Sequence, residues 1–414
     1  MARGPRVVPF PSRPWVTLLR TDDRGRIYPD LANVLIALRN EPSLAAALAF
    51  NEMLNETEIQ KPLPQAPGSS QGKPPPKSLT DDDVGRLQEW LQHHGMPRIG
   101  RDIVGQAVEI RAHERSFHPI KDYLNSLAWD GAPRLNGWLS TYLGVEGQTD
   151  YLSAIGPMFI ISMVARIFDP GCKCDHMLVL EGEQGMMKSL ACSILAGAEY
   201  FSDDIGDISS KDAKQHVIGK WIIEESELAR FTKATTETFK SFVTRTHEKF
   251  RPPYGKTQVE VARQCVFIAT TNRRDYNKDE TGARRLWPAS VVRRIDIEAL
   301  RRDRDQLFAE AVERYRHGEQ WWPDPKFEKE IIRPEQAERR FVDAWEEPVF
   351  NWLVGHVAER VSVMDVAQGA LNMDKANLGT ADQNRIKTAM SLAGWRKCPE
   401  RTKRGYVWEY APAV

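Results

Sequence analysis

The chain has 414 residues, 41% of them hydrophobic and 28% charged, with 57 Lys and Arg set against 57 Asp and Glu. That length calls for two or three domains of roughly 100–200 residues, the composition is that of a globular chain rather than a disordered one, and a net charge of zero says nothing about nucleic acid as a partner. Five cysteines (Cys172, Cys174, Cys192, Cys265, Cys398) are an odd set without paired spacing, and Cys172-x-Cys174 has no second C-x-x-C or His pair, so the pattern argues against a disulfide framework and a zinc site and for a reducing compartment.

The opening stretch MARGPRVVPFPSRPWVTLL is basic but broken by prolines and lacks the continuous apolar segment of a secretion signal, so a cytoplasmic location is expected. WVTLL predicts a strand, Leu31 to Arg39 a helix, and Pro42-Ser43 the start of a second helix, giving a small N-terminal unit over 1–60. KPLPQAPGSSQGKPPPK, from Lys61, has no apolar periodicity and predicts a linker over 61–79. Thr80 followed by three aspartates suits a helix N-terminus, and Val84, Leu87 and Leu91 continue with helical spacing. Further helices are expected over Asp102 to Arg115, Ile120 to Leu127 and Tyr151 to Ile167, making 80–170 a mainly helical domain. The run from Ile155 to Phe168 falls short of the ~20 residues of a membrane span and carries Arg166, so it predicts a buried helix and no membrane partner.

From Met177 the pattern changes to short apolar runs, MLVLEG, KWIIEE, CVFIATT and LWPASVV, separated by helical segments and closed by a long helix, IEALRRDRDQLFAEAVERYRHG. Such runs predict an α/β domain over 171–325 with a parallel sheet covered on both faces. Residues 336–414 read as helix, short helix, helix and hairpin, an order like that of a winged helix, with ADQNRIKTAMSLAGW as recognition helix and TKRGYVWEY as wing. Between Arg385 and Arg404 seven basic residues face one acid, Glu400, which makes Arg385, Lys403 and Arg404 candidate DNA contacts.

Chemistry concentrates in EGEQGMMKSL. A phosphate-binding loop needs a strand, glycines that let backbone N–H groups wrap phosphates, a Lys for the terminal phosphates and a Ser or Thr hydroxyl for magnesium. Here MLVLEG is the strand, Gly182 and Gly185 supply freedom, Lys188 and Ser189 follow, and Met187 stands where the last glycine usually is. Downstream, KWIIEESEL places Glu224, Glu225 and Glu227 at the end of a strand, where one acid can hold the magnesium shell and another activate water; the alternative is a solvated charge cluster. CVFIATTN ends in Asn272 at the carboxyl edge of a sheet, and GARRLWP offers Arg284 and Arg285 as a finger toward a transferring phosphoryl group, often across a subunit boundary. The expected ligands are therefore ATP and Mg2+. Between these strands, KSFVTRTHEKFRPPYGKTQVEVARQ carries Lys249, Arg251, Tyr254 and Lys256, which suit a DNA-contacting hairpin or, alternatively, a solvated loop in which Arg251 serves the nucleotide site.

EGEQGMMKS, GKWIIEESEL, RPPYG, FIATTN and GARRLWP, together with FHPIKDYLNSLAWDG, PGCKCDHMLVLEG and RDQLFAEAVERYRHGEQWW, resemble the virulence-associated E family of phages, prophages and mobile islands, which is similar to superfamily 3 replicative helicases of the AAA+ class. The resemblance runs from about Asn33 to Trp322 and implies a P-loop AAA+-type ATPase that forms a homo-oligomeric ring, a hexamer, moves on single-stranded or forked DNA, and holds ATP between subunits. It further implies phosphate and magnesium at Lys188 and Ser189, an acidic motif at Glu224 and Glu225, a sensor at Asn272 and a finger at Arg284 or Arg285; many members carry a primase ahead of the ATPase, for which this sequence has no room, so a separately encoded primase is expected if priming is needed. The competing expectation is an ATP-dependent switch or assembly module that does not unwind DNA.

Overall fold

The structure, a computed structural model, describes residues 14–65, 74–208, 210–226, 233–250, 258–277, 285–357, 359–374, 377–402 and 405–411. These fall into two compact units, one within Met1–Arg273 and Thr281–Gln336, the other within Arg274–Glu280 and Ala337–Val414.

The first unit opens with a 3-10 turn, Pro14–Leu18, where WVTLL predicted a strand. Leu19 N–H donates to the Val16 carbonyl, which closes the turn and leaves Trp15 buried. The helix Leu31–Asn40 follows, capped by the Asp30 carboxylate on Asn33 N–H. The helix expected after Pro42-Ser43 is instead a set of turns leading into strand β1 (Leu48–Asn51), antiparallel to β2 (Glu56–Ile59). Pairing Leu48 with Ile59 buries both, and that tertiary gain overrides the helix propensity of the alanine-rich run. Lys77–Ser78 forms β3 on the other side of β2. Val34, Leu38 and Leu48 share one core with Leu87, Leu91 and Val104, so residues on both sides of the expected linker pack together.

Thr80 and Asp83 make a reciprocal capping box at the start of the helix Asp81–His93, as the Thr-Asp spacing required. Helices Arg101–His113, Pro119–Ser126 and Thr149–Phe168 follow. The last is long and apolar enough to cross a bilayer, but 78% of its most apolar window is buried inside the protein.

That helix packs on a six-stranded sheet. Its strands are β4 (Val145–Glu146), β5 (Met177–Glu181), β6 (Phe201–Ser202), β7 (Ile222–Glu225), β10 (Val266–Thr271) and β11 (Leu286–Val291), with a separate antiparallel pair, β8 (His247–Phe250) and β9 (Val259–Ala262), between β7 and β10 in the chain. The order is β4-β11-β5-β10-β7-β6; β4 runs antiparallel to β11 and the other neighbours are parallel, so the sheet is mixed. β5 and β10 are buried along their whole length, the expectation for parallel strands covered on both faces. Leu178, Leu180, Ile268 and Trp287 meet Phe159, Ile160 and Val164 of the long helix and Leu307 and Phe308 of the helix Ile297–Arg316 in one core.

The second unit carries helices Glu346–Val354, Val363–Leu371 and Thr380–Leu392 and a three-stranded sheet of β12 (Val361–Ser362), β13 (Trp395–Thr402) and β14 (Gly405–Tyr410) in the order β12-β14-β13. Val349, Leu353, Val366, Ile386, Met390, Trp395 and Trp408 form its own core.

Candidate nucleotide-binding site

β5 delivers the chain to the carboxyl edge of the sheet, where residues 182–187 turn into the helix Lys188–Ala196. From β5 the chain goes to β6 at one edge, whereas from β10, its neighbour, it goes to β11 on the far side of β5. The connections leaving β5 and β10 therefore run in opposite directions across the sheet, and the crevice outside the carboxyl ends of such strands is where open α/β sheets bind ligands. A cavity of 790 Å³ lies there, its walls including Gly185, Met187, Lys188, Ser189, Thr271 and Asn272.

The loop's backbone explains its glycines. A Cβ on Gly182 would stand 2.6 Å from the Val291 carbonyl oxygen, in the strand beside β5. We expect Gly182→Ala to destabilise the unit by about 1–3 kcal/mol through overpacking, read as a lower unfolding midpoint in a denaturant titration. Gly185 has φ +88. Met187 also sits in the left-handed region, at φ 68 and ψ 25, a conformation that favours glycine and costs a methionine roughly 1–2 kcal/mol. The cost is borne because the loop is held on both flanks: Met186 and Met187 pack against the core, and the Met186 carbonyl accepts from Ile295 N–H at 3.3 Å.

Lys188 Nζ donates to the Gly182 and Glu183 carbonyls at 2.7 and 2.8 Å, spanning the loop from its first helical position. Burial pushes its pKa down, while the Glu224 carboxylate pulls the other way. Ser189 Oγ donates to Glu224 Oε1 at 2.7 Å, and Thr270 Oγ1 donates to the same oxygen. Glu224 is only 1% exposed, and its second oxygen, Oε2, is buried with no hydrogen-bond partner among the described residues. A buried carboxylate oxygen without a donor costs free energy. A hard cation with oxygen ligands would satisfy it, and a carboxylate next to a hydroxyl and a phosphate-binding loop is the donor set magnesium takes in phosphoryl-transfer sites. The residues present thus fit Mg2+.

The other predicted residues separate into groups. Asn272 is exposed and lines the cavity, directly after β10. Glu225 is half-buried at the end of β7 and does not line it; successive side chains of a strand face opposite ways, so Glu224 and Glu225 diverge. Arg285 precedes Leu286, which pairs with Met177 at the amino end of β5, so it lies at the opposite edge of the sheet from Lys188. There it lines a second cavity, of 590 Å³, with Cys172, His176, Trp321 and Trp322. Lys249 is exposed on β8 and pairs with Glu260 opposite it on β9 at 3.2 Å. Arg385 sits on the helix Thr380–Leu392, where Nε and Nη2 donate to Asp343 at 2.8 and 2.7 Å and the guanidinium lies 3.6 Å from the Trp345 ring centroid, so it is engaged within its own unit. Glu227, Arg251, Tyr254, Lys256, Arg284, Lys403 and Arg404 lie outside the described residues.

Sequence reasoning missed Thr270, whose hydroxyl fixes Glu224, and Ser226, Thr271 and Arg273, which line the cavity. The available signal was a pair of hydroxyl residues ending an otherwise apolar strand, in a register that faces the acidic strand.

A model of the virulence-associated protein E-like domain matches residues 124–341. The match begins later than Asn33, where the resemblance in sequence was expected to begin, and extends past Trp322. No curated protein matches the chain. In fold the chain is similar to the C-terminal region of NrS-1 (305–718) in its A form, apo, with 12% identity, a TM-score of 0.50, and 92% of this chain and 100% of that chain covered. A second apo structure of the same region has 12% identity and a TM-score of 0.44, covering 87% of this chain and 94% of that one. The family match takes in more than half of the chain, which belongs to the virulence-associated protein E-like family.

Proposed function

For this member of the virulence-associated protein E-like family, we propose an ATP-dependent DNA helicase or translocase that serves replication of a phage, prophage or mobile element and hydrolyses ATP at the subunit interfaces of a homo-oligomeric ring, a hexamer. The observation that carries the proposal is Glu224: a buried carboxylate fixed by Ser189 and Thr270 beside a glycine-bearing loop, with one oxygen left over. In a superfamily 3-like AAA+ site, the 182–187 loop backbone and Lys188 hold the phosphates, Ser189 and Glu224 hold Mg2+, and Asn272 senses the terminal phosphate. Magnesium, when bound, neutralises charge on the phosphate oxygens. Glu225 is kept as part of the acidic motif, turned away from the cavity in this conformation.

Two placements support a shared site. Lys188 and Arg285 stand at opposite edges of one sheet, so Arg285 serves as a finger only toward a neighbouring subunit's ATP. The β8–β9 pair falls between the acidic and sensor strands in the chain, and Lys249 on β8 comes just before the sequence segment with Arg251, Tyr254 and Lys256, residue types that suit contact with a DNA backbone and stacking on a base. In the second unit, the order helix, strand, helix, helix, hairpin is winged-helix-like, with Lys403 and Arg404, which follow β13 in the sequence, as DNA contacts and Arg385 as an anchor to Asp343.

One observation favours the second reading, an ATP-binding switch: Met187 keeps the loop in a strained left-handed turn. DNA dependence separates the two. We expect ATP hydrolysis by the full chain to rise several-fold with single-stranded DNA in a phosphate-release assay. Slow turnover indifferent to DNA would establish the switch instead.

A further inference from the structure

The segment that joins the helix Thr149–Phe168 to β5 contains Cys172-Lys173-Cys174, and the two sulfurs stand 3.8 Å apart. Cys172 is half-buried in the wall of the 590 Å³ cavity, and Cys174 is buried behind it, its Sγ 3.8 Å from the Ser162 carbonyl oxygen. Arg166, only 1% exposed, lies within electrostatic reach of both thiols; its Nη1 donates to the Arg263 carbonyl, and its Nε has no hydrogen-bond partner among the described residues. A buried guanidinium facing a thiol pair stabilises a thiolate. The contact with Cys174, and after it Arg166, holds the Cys172 thiol below the usual range against the opposing effect of burial, whereas burial pushes Cys174 up. Cys172, the thiol that lines the cavity, takes the attacking role, and Cys174, buried and 3.8 Å away, the resolving one. The residue between them is also wired to the cavity: the Lys173 carbonyl accepts from Trp321 Nε1 at 2.8 Å.

We propose that Cys172 and Cys174 form a reversible dithiol–disulfide site, closed by exchange with a small disulfide of the glutathione class, and that closure shifts Trp321 and the cavity wall that carries Arg285. The Cys172 thiolate attacks one sulfur of the small disulfide, forming a mixed disulfide and releasing one thiolate. Cys174, giving up its proton, then attacks Cys172 Sγ, forming the internal bond and releasing the second. The two protons end on the two released thiols, so the protein dithiol is oxidised by two electrons and the small disulfide is reduced. The sulfurs must close from 3.8 Å to about 2.05 Å, which draws on the backbone around Lys173 and hence on the Trp321 hydrogen bond. Any effect on hydrolysis rests on the reading of Arg285 given above.

The test exposes the full chain to oxidised glutathione and follows intact mass, peptide mapping and tryptophan emission. The expected result is a loss of two hydrogens within the Cys172–Cys174 peptide, a change in emission, and reversal of both by dithiothreitol. Cys174→Ser should stop at a glutathione adduct on Cys172, Cys172→Ser should form no internal bond, and Trp321→Phe should close the disulfide without the emission change. A persistent adduct on Cys172 in the parent, linkage between copies, or no covalent change would overturn the proposal. The mass readout needs no nucleotide. A chain that closes the disulfide yet hydrolyses no ATP in either redox state would sink the ATPase reading and leave the dithiol site standing, while an active chain without the disulfide would do the reverse.

Discussion

On the proposed reading, Lys188→Ala is expected to lower kcat/KM for ATP hydrolysis by about 10²–10³-fold or more, the scale on which a single preorganised charge acts at a site of developing charge. The expectation follows from position. The amine is held across the loop by the loop's own carbonyls, Gly182 and Glu183, at the first position of a helix whose opening residues Lys188, Ser189 and Leu190 line the cavity. Partial burial makes its charge count for more than that of an exposed lysine. Removing it leaves the backbone donors in place, so weak nucleotide binding persists while turnover fails. The substitution also deletes two hydrogen bonds to loop carbonyls, each worth about 1 kcal/mol net, so the thermal midpoint is measured alongside. A variant that stays folded and keeps the parent's phosphate-release rate would remove Lys188 from the chemistry.

On the proposed reading, Arg285→Ala is expected to be inactive alone as well, and an equal mixture of Lys188→Ala and Arg285→Ala chains is expected to recover activity. The sheet dictates this outcome: Lys188 follows the carboxyl end of β5 and Arg285 precedes the strand paired with its amino end. Neither side chain reaches the other's place within one chain, so a finger acts only across an interface. With random assembly of a cyclic ring, about a quarter of interfaces join an intact Lys188 to an intact Arg285, and each regains the roughly 10³–10⁵-fold that an arginine finger contributes. The check is the phosphate-release rate of the mixture against the two variants apart. No recovery on mixing, with each variant assembled as the parent is, would contradict a finger shared between subunits.

How much of this was legible in the sequence follows from how local each feature is. The buried strands β5, β7, β10 and β11 were readable because parallel strands covered on both faces are continuous apolar runs. β4 and β6, of two residues each, carry no such signal, and β1 was hidden because its partner β2, not its own alanine-rich approach, decides its conformation. Within the site, the loop spacing announced Lys188 and Ser189, but Thr270 became visible only once register had placed Ile268 opposite Glu224, setting the next same-face residue above the carboxylate. The positive φ of Met187 had no local sign, since methionine is the residue that would ordinarily argue against it. Arg385 looked like part of a free basic face because its partner Asp343 is 42 residues away.

The most direct test of the nucleotide site is a calorimetric titration of ATP into the full chain with and without Mg2+, repeated on Glu224→Gln. Glutamine keeps an acceptor for Ser189 and Thr270 but puts an amide nitrogen where the unpartnered oxygen stands. The predicted result is binding that tightens with magnesium in the parent and loses that dependence in Glu224→Gln. No ATP binding by the parent, or a magnesium effect unchanged by the substitution, would contradict a metal–nucleotide site at the end of β5.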